Sequence, residues 1–223
     1  MSSYDLFLFD LDGTLIETAP EIGDAVNETL QALGLPPVEP AQVESWIGHG
    51  TGTLLVRALA CSQGLSEDAV RAQPSLPETT ALFGRHYQSC CGTRSRLYPQ
   101  VRETLQSLRD RGKHLAVVTN KESVYTRRVL QAHDLLPLLD RVVSGDSLPT
   151  RKPDPAGVAC CLAEFGVPAD RTLFVGDSHI DVATARNAGV AIWALPYGYN
   201  MGQPIADSAP DRIIPDCSML LNA

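Results

Sequence analysis

Leu6-Phe7-Leu8-Phe9, followed at once by Asp10-Leu11-Asp12-Gly13-Thr14-Leu15, is the stretch on which the reading of this chain turns. Four consecutive apolar residues predict a strand buried on both faces, and it ends abruptly in carboxylates. Residues two apart on an extended chain project to the same side, so Asp10 and Asp12 are expected to converge just beyond the strand end. Two crowded carboxylates repel unless a proton or a cation lies between them. That points to a divalent-metal site or an acid/nucleophile pair. An Asp-Gly hairpin turn is the plain alternative, but Thr14-Leu15-Ile16-Glu17-Thr18-Ala19-Pro20 does not return as an alternating strand.

Beyond this strand the pattern is helical to about residue 94. Ile22, Val26 and Leu30 recur at helical spacing, as do Leu54, Leu55, Ala58 and Leu59. Gly34-Leu35-Pro36-Pro37, Gly48-His49-Gly50, Gly64 and Pro74-Ser75-Leu76-Pro77 break the segment into separate helices. From Pro99 onward short apolar runs alternate with helices. Leu115-Ala116-Val117-Val118 leads into Thr119-Asn120, and Val142-Val143 into Ser144-Gly145-Asp146. Leu173-Phe174-Val175 leads into Gly176-Asp177, and Ala191-Ile192-Trp193-Ala194-Leu195 into Pro196-Tyr197-Gly198. Small and polar residues thus gather at strand carboxyl ends, where open α/β sheets place their active sites. The expectation is an α/β protein: a Rossmann-like parallel-sheet core, residues 1–15 and 95–223, with an all-helical cap at 16–94 inserted after the first strand.

The 223 residues carry a net charge of −8 and a pI near 5.0, which disfavours non-specific binding to nucleic acid or an anionic membrane. No apolar run reaches the ~18 residues of a membrane span, and no charged-apolar-small leader opens the chain. A soluble, cytoplasmic protein is expected. Cys61, Cys90, Cys91, Cys160, Cys161 and Cys217 show no zinc or redox spacing, so they read as structural thiols of a reducing compartment.

Asp177-Ser178-His179-Ile180-Asp181 ends one strand and opens a helix that stops at Asn187-Ala188-Gly189. Asp10, Asp12, Asp177 and Asp181 are then expected to meet at the sheet edge as an all-oxygen set suited to Mg²⁺. For Asp181, stabilisation of a helix N-terminus is an equal alternative. Thr119 and Asn120 either receive an oxyanion or cap a helix. Lys152-Pro153-Asp154-Pro155 sets an ammonium in a stiff loop; only Lys113, Lys121 and Lys152 stand beside fifteen arginines, although exposure next to Arg151 is the plainer reading. Gly48, His49, Gly50 and Thr51, with Arg57 further along the helix, form a candidate second anion site. Residues 16–94 hold nine carboxylates against four arginines, a net −5, so such a site admits a small anion rather than a polyanion. No Ser-His-Asp or Cys-His arrangement stands at a known spacing.

In this order, Asp10-Leu11-Asp12-Gly13-Thr14, Thr119-Asn120, Lys152-Pro153 and Gly176-Asp177-Ser178 with Asp181 resemble the four motifs of the haloacid dehalogenase superfamily. Trp46-Ile47-Gly48-His49-Gly50 and Tyr197-Gly198-Tyr199-Asn200 resemble its phosphoglycolate phosphatase branch. The resemblance implies that Asp10 is a nucleophile forming an aspartyl-phosphate and Asp12 a general acid/base. It implies Mg²⁺ on the Asp10 and Asp177 side chains and the Asp12 carbonyl, with Asp181 in support. Thr119, Asn120 and Lys152 would hold the phosphoryl oxygens of a small phosphoester substrate. Asp12 argues against a dehalogenase, and the lack of lysine in 16–94 against a phosphonatase. A β-phosphoglucomutase-like phosphotransferase, another sugar-phosphate phosphatase and a non-catalytic phospho-ligand binding module stay as alternatives. Monomer and homodimer are both open.

Overall fold

The computed structural model describes residues 4–223, so the first three residues of the expected core segment 1–15 lie outside the described residues. The strand read first, β1 (Leu6–Phe9), has all four side chains buried. It lies mid-sheet because it carries apolar groups on both faces. β2 (Ile16–Glu17) and β3 (Arg96–Leu97) form a separate antiparallel pair. β4 (His114–Val118) and β6 (Thr172–Gly176) flank β1, and β5 (Arg141–Val143), β7 (Ala191–Ala194) and β8 (Arg212–Ile213) complete a sheet of order β5-β4-β1-β6-β7-β8. Every pairing in that six-stranded sheet is parallel.

After β1 the chain makes a closed hook rather than a hairpin: the amides of Leu15 and Ile16 both donate to the Leu11 carbonyl, and the Gly13 amide donates to the Ile16 carbonyl. It leaves the sheet along β2 and returns along β3. Between them lie α1 (Ala19–Ala32), α2 (Pro40–Trp46), α3 (Thr51–Gln63), α4 (Glu67–Arg71) and α5 (Leu76–Cys90). α6 (Val101–Asp110), α7 (Ser123–Ala132), α8 (Ala156–Phe165) and α9 (His179–Ala188) connect the later strands. Gly64, Gly166 and Gly189 close α3, α8 and α9 in the left-handed conformation, as helix-terminating glycines do.

The pleat divides the core. Leu6 and Leu8 pack with Val143, Val158, Phe174 and Ile192 on one face. Phe7 and Phe9 face the other way, into a cluster that continues through Leu11 and Leu15 to Ile22, Leu54, Leu55, Phe83 and Tyr87 of the inserted helices. The helical segment therefore shares its apolar core with one face of the sheet. The cysteines are free, with Cys91, Cys161 and Cys217 buried. Among the described residues no helix is long and apolar enough to cross a membrane.

Candidate active site

Parallel strands deliver their carboxyl ends to one edge, and there β1 presents Asp10, β4 presents Thr119 to Lys121, and β6 presents Asp177. Asp10, Asp177 and Asp181 each bring a carboxylate oxygen within 4.8 Å of the others. Lys152 Nζ lies 2.8 Å from Asp10 Oδ1 and 2.7 Å from Asp181 Oδ1. Three buried carboxylates against one ammonium leave an excess of two negative charges. Burial pushes the Asp10 carboxyl up to about 7 even though Lys152 pulls it down. Burial, reinforced by Asp181 and Asp10, pushes Asp177 well above the carboxylate range. Asp10 Oδ1 is buried, with the Lys152 ammonium at 2.8 Å as its partner. An all-carboxylate donor set holding more acidic groups than its single ammonium can neutralise fits a hard divalent cation.

Asp177 is held rigidly. Thr14 Oγ1 donates to its Oδ1 at 2.5 Å and the Tyr199 amide to its Oδ2 at 2.5 Å. A Cβ on Gly13 or Gly198 would collide with this carboxylate, and Gly13 also needs its φ of +87°. Beyond the cluster, Asp10, Asp12, Thr119 and Lys121 line one side of a narrow cleft. Ile47, Gly48, Gly50, Thr51 and Leu54 of the inserted segment line the other. The free space is about 30 Å³, room for a molecule or two of water.

A sequence profile of haloacid dehalogenase-like hydrolases matches residues 7–195. The chain belongs to this family. It is 38% identical over 221 residues to a phosphoglycolate phosphatase of Vibrio cholerae, covering 99% of this chain and 97% of that protein. It is likewise 38% identical to a phosphoglycolate phosphatase of Haemophilus influenzae, covering 99% and 98%. The crystal structure of a predicted phosphoglycolate phosphatase from Haemophilus somnus 129pt superposes with a TM-score of 0.92 at 38% identity, covering 100% of this chain and 98% of the other.

In this haloacid dehalogenase-like hydrolase the cluster holds three carboxylates, where the sequence led us to expect four. Asp12 is drawn away from the cluster: its Oδ1 accepts from Thr18 Oγ1 at 2.6 Å and from Lys121 Nζ at 2.8 Å. The alternative reading of Lys152 as a surface charge fails, because it is buried at 7% exposure. Burial opposes its charge, but Asp10 and Asp181 outweigh that and raise its pKa. Thr119-Asn120 is not a helix cap, since α7 begins only at Ser123. Instead, Asn120 Oδ1 accepts from the Lys152 amide at 2.9 Å, while Nδ2 donates to the carbonyls of Lys152 (3.0 Å) and Gly48 (2.9 Å). Asp181 does stand at a helix N-terminus. It closes a capping box with Ser178 at the start of α9 and also pairs with Lys152.

The expected second anion site is only partly assembled. Gly48 and Gly50 line the cleft, but Arg57 does not; its Nε is 3.2 Å from Glu67. Half-buried His49 faces His179 at 6.3 Å between ring centroids, away from the cleft lining, and burial, then Arg57, lowers its pKa. The cation that does line the cleft beside Asp12 is Lys121, which the sequence reading passed over. The rarity of lysine that marked Lys152 applied equally to Lys121, directly after Thr119-Asn120.

Proposed function

We propose that this chain is a Mg²⁺-dependent phosphomonoesterase that works through an aspartyl-phosphate on 2-phosphoglycolate, with residues 16–94 acting as the cap. The observation that carries this is a buried Asp10 paired with Lys152 beside Asp177 and Asp181, with Asp12 next to it on the lining of a cleft of about 30 Å³. The names of the relatives at 38% identity support the substrate. A phosphate dianion approaching a carboxylate is repelled by roughly 4 kcal/mol per unit charge pair at ~4 Å and an effective dielectric of ~20. Lys152 offsets that repulsion and holds phosphoryl oxygens together with Thr119 and the Asn120 amide. Asp10 and Asp177 and the Asp12 carbonyl would hold Mg²⁺, with Asp181 behind them, and its charge would further neutralise the phosphoryl group.

Asp10 attacks phosphorus as the bond to the ester oxygen breaks, and Asp12 gives that oxygen its proton. Asp12 then takes a proton from water, which attacks the aspartyl-phosphate, releases inorganic phosphate and restores Asp10. The amides at the start of α3, beside Gly48 and Gly50, meet a carboxylate on the leaving group. Free thiols and a chain without a membrane-crossing helix among the described residues suit the cytoplasm. The test is phosphate release from a panel of phosphorylated metabolites, with and without Mg²⁺. We expect the highest kcat/KM on 2-phosphoglycolate, dependence on the metal, and a loss of about 10³-fold or more in Asp10→Asn. Undiminished turnover in that variant refutes the nucleophile.

A further inference from the structure

Lys121 takes no part in holding the phosphate in the scheme above, yet its side chain is only 1% exposed and it lines the cleft. Its surroundings come from both parts of the molecule. Asp12 of the sheet edge accepts its hydrogen bond at 2.8 Å. The Tyr87 ring of α5 lies 5.0 Å from Nζ. Glu21 of α1, fully buried with Oε1 unpartnered, adds negative potential. Lys121 Nζ and Asp12 Oδ1 form an ion pair at 2.8 Å whose side chains are 1% and 12% exposed. A buried lysine is costly unless its charge is matched, and here the inserted helices help to match it.

Asp12 Oδ1 already accepts from Thr18 at 2.6 Å. With Lys121 as a second donor to the same oxygen, rotation of the carboxyl about its own bond would break both hydrogen bonds. Among the described residues no hydrogen bond reaches Oδ2, and Asp12 lines the cleft. We infer that Lys121 is a positioning residue that acts through Asp12, fixing Oδ1 so that Oδ2 is the atom presented to the departing ester oxygen. This rests on the reading of Asp12 as the acid/base. It assigns to Lys121 a role in leaving-group departure, distinct from the phosphoryl contacts of Lys152.

The experiment compares wild type, Lys121→Met, Lys121→Ala and Asp12→Asn, each as the full chain with Mg²⁺, on 2-phosphoglycolate, glycerol phosphate and p-nitrophenyl phosphate. Nitrophenolate departs without a proton, whereas an alkoxide needs one. In Lys121→Met we expect kcat to fall about 10- to 100-fold on both alkyl esters and less than about 3-fold on the nitrophenyl ester, with KM little changed. Methylammonium should restore alkyl-ester turnover in Lys121→Ala, a rescue that a purely structural role does not give and that works even where the Met variant folds poorly. Equal losses on all esters without rescue overturn the inference. So does a KM raised only for 2-phosphoglycolate, which would make Lys121 a reader of the substrate carboxylate. Asp12→Asn separates the two levels: if it shows the leaving-group split and the Lys121 variants do not, only the role of Lys121 falls; if it shows none, the acid role falls and the inference with it.

Discussion

Asn120 fixes Lys152 through both of that residue's backbone groups and spends its remaining N–H on Gly48 of the inserted segment. Asp at this position is isosteric but turns an acceptor toward two carbonyls. Asn120→Asp should cost about 2–3 kcal/mol, read as a melting temperature lower by roughly 4–12 °C. Displacement of Lys152 should cut kcat on p-nitrophenyl phosphate at least about tenfold; an unchanged melt would remove the strut role. At this scale the sequence displayed Asp10 and Asp177, because a carboxylate just past an apolar run stands out, whereas Lys152 by itself read more plainly as exposed and gained a role only from the order of the motifs. It hid what Asn120 does, because Thr-Asn ahead of a helix has the composition of a cap, and only the third dimension brings residues 120 and 152 together. Lys121 and the collision-prone Gly198 were hidden for the same reason.

Helix α1 begins without help from its own N-terminal side chain: Thr18 makes no capping bond. The amides of Thr18 and Ala19 instead donate to Tyr199 Oη at 3.1 and 3.0 Å, from a loop about 180 residues away. Tyr199→Phe leaves two amides without an acceptor and should cost about 1 kcal/mol, or roughly 2–4 °C in a thermal melt. Catalysis should persist, because it is the Tyr199 backbone amide that holds Asp177. An unaltered melting point would mean that water replaces the phenol without loss. Long elements were legible from periodicity, as with α9 and the strand ends at Asp10, Thr119 and Asp177. β2, β3 and β8 were not, since a two-residue strand has no period to detect.

The whole molecule separates chemistry from anchorage by placing them at opposite edges of the sheet. At the amino edge Asp5 accepts from Lys113 Nζ at 3.0 Å and Arg171 Nε at 2.5 Å, tying β1 to the chain entering β4 and β6. The hydrogen bond from Lys113, then that from Arg171, hold its pKa below 3.8. A carboxyl depressed on folding stabilises above its unfolded value, and that contribution is lost as pH falls through the lower folded value. Asp5 is 38% exposed, so solvent screens the pairs to about 1 kcal/mol at most. Asp5→Asn should therefore melt roughly 2–4 °C lower at pH 7, with kcat unchanged and the gap closing as pH drops below 3.8. A gap that stays constant into acid would contradict the clamp. The parallel sheet and the run of helices that follows its first strand were both readable from the residue patterns; the shared core was not, because an apolar helix face does not say what it packs against. That shared seam has a practical outcome for anyone who trims this enzyme. Excising the helices would strip cover from Phe9, Leu11 and Leu15 and leave a sticky remnant prone to aggregate, so no minimal catalyst can be carved from the sheet alone.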